Sequence, residues 1–228
     1  TSRIYPPFNE TLQSDLVCSW SENDKKRLMS TGTPENRIRV TGTTIWKHLK
    51  PRVPHEGKNV VFSPEHWDND VTENFIVMDE LRKLKGVNLI TKILQGHQDP
   101  KNYENPVISD RNKPDHLSIV MDVLSKADLV VAISESTFEL IAQALDIPVI
   151  IADCWIPKAC DGDERYKDYF REYSNACTKV PLKGLNKEIM KQIKHPEILR
   201  AERAEIVIAD GGINLPDPLK VICDIIEE

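Results

Sequence analysis

Three hydroxyl side chains and one carboxylate lie close together at Ser134, Ser136, Thr137 and Glu139. They follow a short apolar run typical of a buried parallel strand, and they open a segment with the pattern of a helix. A helix that begins after a parallel strand presents free backbone N–H groups and the positive end of its dipole, which attract anions. We therefore expect the three hydroxyls to bind phosphate. Glu139 falls in the first helical turn, where its carboxylate can reach a sugar hydroxyl beside that phosphate.

The same residues also fit a structural role that involves no ligand. Ser136 or Thr137 can cap the helix, and Glu139 can complete a capping box by accepting a hydrogen bond from the capping residue's N–H group. The spacing is the same for both roles, so the sequence leaves the two alternatives open.

Two more predicted strands are followed by polar residues, and ligands of open parallel sheets bind outside the carboxyl ends of the strands. After the first strand, His66 can donate to a phosphate or act as an acid or base. Lys92 in the second strand and His97 after it can face a diphosphate. The alternatives are a solvated loop around His66 and a hydrated side chain at His97.

The elements that must position these residues alternate between strand and helix. This order predicts an α/β fold, a Rossmann-like parallel sheet with helices on both faces. The predicted strands are residues 59–63, 87–94, 107–108, 129–133 and 147–151, and the predicted helices are 71–84, 117–124 and 138–145. From residue 162 the chain becomes charged, and we expect helices at 163–174, 184–193, 196–209 and 217–226.

The segment before the sheet has a different pattern. We expect a short strand within residues 15–20, a polar helix at 21–30 capped by Ser21, and a second strand within 37–42. Residues 50–58 contain two prolines, Pro51 and Pro54, and one glycine, Gly57, which is typical of a linker. We therefore assign residues 1–50 to the end of an N-terminal domain and its crossover segment, and 51–228 to the Rossmann-like domain with the C-terminal helices. Because the sequence does not begin with Met, we expect it to be a fragment.

Composition excludes several functions. The 228 residues carry a net charge of -6 without long single-sign runs, which argues against nucleic-acid binding. The five cysteines form no CxxC pair, which favours reduced thiols and a cytoplasmic protein. The sequence contains no glycine-rich dinucleotide or P-loop motif and no HExxH or spaced His/Cys set, so we expect neither a cofactor of that kind nor a metal. No run reaches the length of a membrane helix.

Several stretches together resemble the C-terminal half of the GT-B glycosyltransferases, the class that includes UDP-N-acetylglucosamine 2-epimerases and CDP-glycerol glycerophosphotransferases. The matching stretches are SWSEND, RIRVTG, VVFSPEHWD, LITKILQGHQDP and ADLVVAISESTFELIAQALDIPVII. The resemblance implies that His97 contacts the donor phosphates, that Ser136 and Thr137 bind phosphate, and that Glu139 holds the ribose. The chain departs from the class in having Gln98 and Asp99 before Pro100, and in having Glu135 where an epimerase has an Asp-Ser-Gly-Gly run.

The resemblance implies a donor-binding domain that acts in surface or capsular polysaccharide synthesis. Its partners would be a nucleotide-activated sugar, linked through UDP, CDP or CMP, and a glycan acceptor, with no further cofactor. Peripheral membrane association of the full-length protein is compatible with this function. The resemblance identifies no catalytic residue, and we expect the fragment to bind donor but to turn over poorly alone. The alternatives are an enzyme similar to the 2-epimerases and a non-catalytic nucleotide-binding module.

Overall fold

The computed structural model describes residues 15–30, 32–65, 72–134, 136–154 and 176–227. They form two compact units. The first contains the described residues up to Lys47 and those from Ala204 onward, and the second contains those between His48 and Arg203. The first break lies near the expected linker. The C-terminal helices, in contrast, are divided between the units, whereas the sequence analysis assigned all of them to the second domain.

The second unit is built on a six-stranded sheet in which every pair of neighbouring strands is parallel. The strands are β3 (Asn59–Ser63), β4 (Asn88–Leu94), β5 (Pro106–Ser109), β6 (Leu129–Ala132), β7 (Val149–Ala152) and β8 (Thr178–Val180). Their order across the sheet is β5-β4-β3-β6-β7-β8. The chain thus runs outward from β3 to one edge, returns beside β3 and continues to the other edge, which confirms the expected Rossmann-like α/β fold.

The centre of this sheet is covered on both faces. All residues of β6 and β7 are buried, including those whose side chains point to opposite faces. Helices α2 (Thr72–Leu81), α3 (His116–Leu124), α4 (Thr137–Ala144) and α5 (Leu185–Lys194) surround the sheet. The continuous apolar runs of the central strands are explained by this two-sided burial.

Strand β8 was not predicted, because the sequence after residue 162 was interpreted as helical. It has only three residues, Thr-Lys-Val, and pairs with β7 at one edge of the sheet. An edge strand pairs with a neighbour on one side only, so its sequence is less constrained than that of a central strand. Three residues are also too few to show the alternation of side chains that identifies a strand. The expected helix at 163–174 lies outside the described residues.

The first unit contains the two short parallel strands β1 (Val17–Ser19) and β2 (Ile38–Val40), with helix α1 (Glu22–Ser30) between them. The Ser21 hydroxyl accepts a hydrogen bond from the Asp24 N–H group at 3.1 Å, so the expected cap is present. Helix α6 (Arg200–Ala209) runs into this unit, and α7 (Pro218–Glu227) lies within it. Arg27 and Asp210 form a buried ion pair.

Residues of the C-terminal segment therefore contribute to the interior of the first unit. Trp46 donates from Nε1 to the Gly211 carbonyl at 2.7 Å, and Gly42 packs against Leu215. These contacts join residues far apart in sequence, which is why periodicity alone assigned them to the wrong unit. Within the described part of the chain, none of the helices is both long and apolar enough to span a membrane.

Candidate functional site

The carboxyl ends of β3, β4 and β6 meet at one edge of the sheet. Ser63 is in register with Ala132, and Phe62 is in register with both Thr91 and Val131. The polar residues that follow each strand therefore lie along the same edge, as expected from their sequence positions.

A hydrogen-bond network centred on Glu65 ties these strand ends together. Its carboxylate accepts a hydrogen bond from the Ser134 hydroxyl, just beyond β6. The Glu65 N–H group donates to Asn74 Oδ1 at 2.8 Å, and the Glu65 carbonyl accepts from Asn74 Nδ2 at 2.8 Å and from Gln98 Nε2 at 2.9 Å. Gln98 Oε1 in turn accepts from the Leu94 N–H group at 3.1 Å. The Ser134 hydroxyl, predicted to bind phosphate, is thus engaged by a carboxylate.

The N-terminus of α4 carries the predicted capping box. Ser136 Oγ accepts from the Phe138 N–H group at 3.2 Å, and Glu139 Oε2 accepts from the Ser136 N–H group at 2.6 Å and from its hydroxyl at 2.5 Å. The structural alternative stated for Ser136 and Glu139 is therefore realised. Thr137, the first residue of α4, is half-buried.

One oxygen of Glu139 remains outside the capping box. The side chain is only 2% exposed, and its Oε1 has no hydrogen-bond partner. Burial raises the pKa of Glu139, while hydrogen bonding from Ser136 and the proximity of the Ser63 hydroxyl oppose that rise. A buried acceptor without a donor is costly, so this oxygen lowers the stability of the protein unless another group supplies a donor.

Lys92 reaches the same helix from inside the sheet. Its side chain is 9% exposed, and its ammonium lies 5.6 Å from the centroid of the Phe138 ring, a cation–π contact at the first turn of α4. Burial lowers the pKa of Lys92 to about 8; the attraction of Glu139 opposes the shift and the repulsion of Arg111 adds to it. The structure thus brings Lys92 to Phe138 and within electrostatic reach of Glu139, and its phosphate role stays a prediction.

Of the two histidines predicted to bind phosphate, only His97 lies among the described residues. His97 lies in the turn after β4, is half-buried, and donates its backbone N–H to the Leu94 carbonyl at 3.2 Å. The preceding Gly96 has φ +82°, so the turn needs a glycine there. His66 lies outside the described residues.

Some residues at this edge were missed or misjudged by sequence reasoning. Glu65, Asn74 and Gln98 were not singled out, although each stands near a strand end or at the start of a helix. His116, which the sequence analysis did not single out, has an Nδ1 that is buried without a hydrogen-bond partner. Burial, followed by the charges of Lys92 and Arg111, lowers the pKa of His116. A histidine at the start of an apolar helix was the available signal.

The described residues contain no cluster of three or more His, Cys, Asp or Glu side chains able to hold a metal ion. Cys18, Cys154, Cys177 and Cys223 are free thiols.

No protein-family profile matches the chain, and no curated protein matches it in sequence. Its fold, however, is found in solved structures. The wall teichoic acid polymerase TagF superimposes with a TM-score of 0.60 at 18% identity, over 93% of this chain and 57% of that one. A UDP-GlcNAc 2-epimerase from Neisseria meningitidis, bound to UDP-GlcNAc, superimposes with a TM-score of 0.54 at 13% identity, over 94% of this chain and 62% of that one.

The chain thus spans about three fifths of the length of the structures that it resembles. At these identities the likeness concerns the fold. It confirms the fold that the resemblance implied, because the chain superimposes on both of these structures with a TM-score above 0.5. The chain has a Rossmann-like α/β architecture of the GT-B type.

Proposed function

We propose that this chain is the nucleotide-sugar donor-binding part of a GT-B glycosyltransferase or related group transferase that acts in surface or capsular polysaccharide synthesis. The donor is linked through UDP, CDP or CMP, the acceptor is a glycan, and no other cofactor takes part. Peripheral membrane association of the full-length protein and a cytoplasmic location remain predictions.

The observation that carries the proposal is the N-terminus of α4. It lies at the carboxyl edge of a doubly wound sheet, next to the buried Lys92 ammonium and the unpartnered Oε1 of Glu139. A cation, the Thr137 hydroxyl and the positive end of the helix dipole suit a phosphate, while a buried carboxylate oxygen suits a sugar hydroxyl. A nucleotide carries both a phosphate and a sugar hydroxyl, so it matches these donors and acceptors better than a phosphate or a sugar alone would.

In this proposal Ser136, Thr137 and Lys92 stabilise the donor phosphates, and Glu139 accepts a hydrogen bond from the ribose. His97 and His66 contact the diphosphate from the ends of β4 and β3, and Ser134 orients Glu65 beside them. When the donor bond breaks, negative charge develops on the leaving phosphate, and pre-positioned cationic and N–H groups stabilise it without a metal. The catalytic base is not assigned to any residue of this chain.

The test is calorimetric titration of UDP, CDP and CMP against the wild-type chain and the double variant Ser136→Ala/Thr137→Ala. Loss of charge-assisted hydrogen bonds should weaken nucleotide binding by roughly 1–3 kcal/mol. Loss of the cap should also cost about 1 kcal/mol of folding stability, so melting curves must show that both proteins are folded. Equal nucleotide affinity in the two proteins would remove the phosphate role.

A second candidate function is a 2-epimerase-like activity, favoured by the epimerase among the similar structures. The two candidates differ in the products of the longer protein. A transferase consumes donor only when a glycan acceptor is present, whereas an epimerase converts a UDP-linked sugar without one. Product analysis of the full-length protein, with and without acceptor, separates these functions, and nucleotide binding without either reaction would indicate a non-catalytic module.

A further inference from the structure

The first unit contains a cavity of about 310 Å³ between two segments that are far apart in sequence. One wall comes from residues 42–47, which follow β2, and the other from residues 212–218, which connect α6 to α7. Sites for small molecules have volumes of about 300–1,000 Å³, so this cavity has room for a ligand of one ring.

The aromatic part of the cavity wall is the indole of Trp46, which is held in place. Its Nε1 donates to the Gly211 carbonyl at 2.7 Å, and an added Cβ on Gly211 would lie 2.6 Å from the indole Cζ2. The side chain is half-buried, and it lines the cavity. A fixed indole offers a large contact surface to a ligand without a further loss of side-chain entropy.

The opposite wall is aliphatic. The Cβ of Leu215 lies 3.5 Å from the position of an added Cβ on Gly42, so the two segments are in van der Waals contact beside the cavity. Three further apolar residues of the second segment line it, namely Ile213, Pro216 and Pro218. A ligand in the cavity therefore meets apolar surface from both segments.

One positive and one negative side chain complete the lining. Lys47 Nζ lies 2.6 Å from Asp217 Oδ1, and both side chains are exposed. The same oxygen accepts from the Leu219 N–H group at 3.0 Å. Lys47, followed by that N–H group, holds the pKa of Asp217 below its usual value, so the carboxylate is charged at neutral pH. An ammonium can donate three hydrogen bonds and a carboxylate can accept about four, so both groups have capacity left for a ligand.

This combination of walls and charges selects among classes of ligand. Asp217 repels an anion and Lys47 repels a cation, while a purely apolar molecule would take water from both groups without replacing it. A neutral ring with several hydroxyls avoids all three costs. In a pyranose the C–H groups form apolar faces and the hydroxyls lie around the ring, where each can donate to a carboxylate and accept from an ammonium.

We propose that this cavity is a carbohydrate-binding site that holds one neutral sugar ring, with a face of the ring on Trp46 and two neighbouring hydroxyls on Asp217 and Lys47. The inference goes beyond the proposed function, which concerns a nucleotide bound by residues of the second unit.

The central experiment is saturation-transfer NMR of the whole chain with methyl β-glucoside, and with cyclohexanol as an apolar ring that carries one hydroxyl. The glucoside should bind more tightly than cyclohexanol. Asp217→Asn should weaken glucoside binding roughly tenfold, because it removes a charge-assisted hydrogen bond, and should leave cyclohexanol binding unchanged. The variant keeps an acceptor for the Leu219 N–H group, so we expect it to fold.

Asp224→Asn is the matched control, since it makes the same change at an exposed position of the same helix, outside the cavity. It should alter neither affinity. Trp46→Phe is the second variant, and thermal unfolding verifies that it is folded. The change in tryptophan fluorescence that the glucoside causes should disappear in this variant, because the indole in contact with the sugar is gone.

Two results would overturn the site. One is glucoside binding that is absent, or that neither Asp217→Asn nor Trp46→Phe changes. The other is cyclohexanol binding as tight as that of the glucoside, which would indicate an apolar cavity without selection for a sugar.

Titration of UDP against the same variants separates this inference from the proposed function. Asp217→Asn and Trp46→Phe should leave UDP affinity unchanged. If UDP binds and the glucoside does not, the carbohydrate site is wrong and the proposed function stands. If the glucoside binds and UDP does not, the carbohydrate site stands and the proposed function is wrong.

Discussion

The two ends of strand β3 are both fixed by polar networks, but they differ in the buried polar atoms that stay unpaired: His55 Nδ1 beside Asp128 at the amino end, and Glu139 Oε1 near the Lys92 ammonium at the carboxyl end. At the amino end, Asn59 accepts from Asn88 Nδ2 at 3.0 Å, donates from Nδ2 to the Lys126 carbonyl at 2.7 Å, and donates from its N–H group to Asp128 at 2.8 Å. Every hydrogen-bonding group of this side chain has a protein partner. The amino-end network therefore fixes the starts of three strands and needs nothing else.

At the carboxyl end, the Glu65 network fixes the same three strands in a similar way. Beside it, however, stand the Lys92 ammonium, with no acceptor among the described residues, and the Glu139 Oε1, with no donor. Buried polar groups are usually paired, so unpaired ones call for an explanation. The comparison indicates that the Asn59 side chain at the amino edge is fully hydrogen-bonded, while the carboxyl edge carries an unpaired carboxylate oxygen at a cost in stability.

The largest expected effect is at the amino edge. Asn59→Ala should lower the free energy of unfolding by about 3 to 4 kcal/mol, because it removes two side-chain hydrogen bonds and leaves their buried partners unsatisfied. Nucleotide affinity should not change as long as the protein is folded. Urea denaturation and titration measure the two quantities.

Arg52→Gln is the control for this change, since Arg52 bonds the same Asp128 carboxylate at 3.2 Å from an exposed position. It should cost no more than about 1 kcal/mol. If Asn59→Ala weakened nucleotide binding while stability was unchanged, the division of roles between the two edges would be wrong.

The next expected effect is an increase in the free energy of unfolding. Lys92→Met should raise the free energy of unfolding at pH 7 by about 3 kcal/mol, because burial of the ammonium lowers its pKa to about 8 from 10.5. The unfolded chain holds this proton more tightly between those pH values, so the wild-type protein gains stability from this group as pH rises from about 8 to about 10.5. The advantage of the variant should shrink over the same range.

Urea denaturation at several pH values measures that difference, and comparing wild type with variant cancels the titration of other lysines and tyrosines. Lys126→Met, at an exposed position, is the matched control and should show no such pH-dependent difference. A Lys92→Met protein that is less stable than wild type at pH 7 would mean that the ammonium is stabilised by contacts and is not a cost.

The parts of the fold and of the candidate site that depend on local interactions could be predicted from the sequence. The parts that depend on contacts between residues distant in sequence could not. The strands and helices around Ser134 and Glu139 were predicted because apolar runs and capping residues act locally. The convergence of three strand ends also followed, since parallel sheets place their carboxyl ends together. Glu65 was missed because its importance comes from Ser134 and Gln98, which are distant in sequence.

The same argument applies to charge and to domain membership. The sequence placed Lys92 in a strand, but only packing against Phe138 shows that its ammonium is buried. The pairing of Arg27 with Asp210 across the chain decides which unit holds the segment after Ala204, and no local pattern encodes that contact. Whether Glu139 caps or binds could not be separated by spacing, because one carboxylate has two oxygens and can do both.

The smallest expected effect tests that double role of Glu139. Glutamine also completes a capping box, so Glu139→Gln should change the free energy of unfolding by no more than about 1 kcal/mol. It replaces a charged acceptor by an amide, however, and should narrow the affinity gap between UDP and 2′-deoxy-UDP or 3′-deoxy-UDP by roughly tenfold if the ribose donates to the carboxylate.

Glu73→Gln is the control, because it makes the same change in the first turn of α2 and should leave that affinity gap as it is. Calorimetric titration of the three nucleotides against all three proteins measures the gap. If Glu139→Gln has normal stability and does not alter the affinity gap between UDP and its deoxy analogues, the Glu139 carboxylate has only its capping role. Ribose recognition would then belong to another residue of the carboxyl edge.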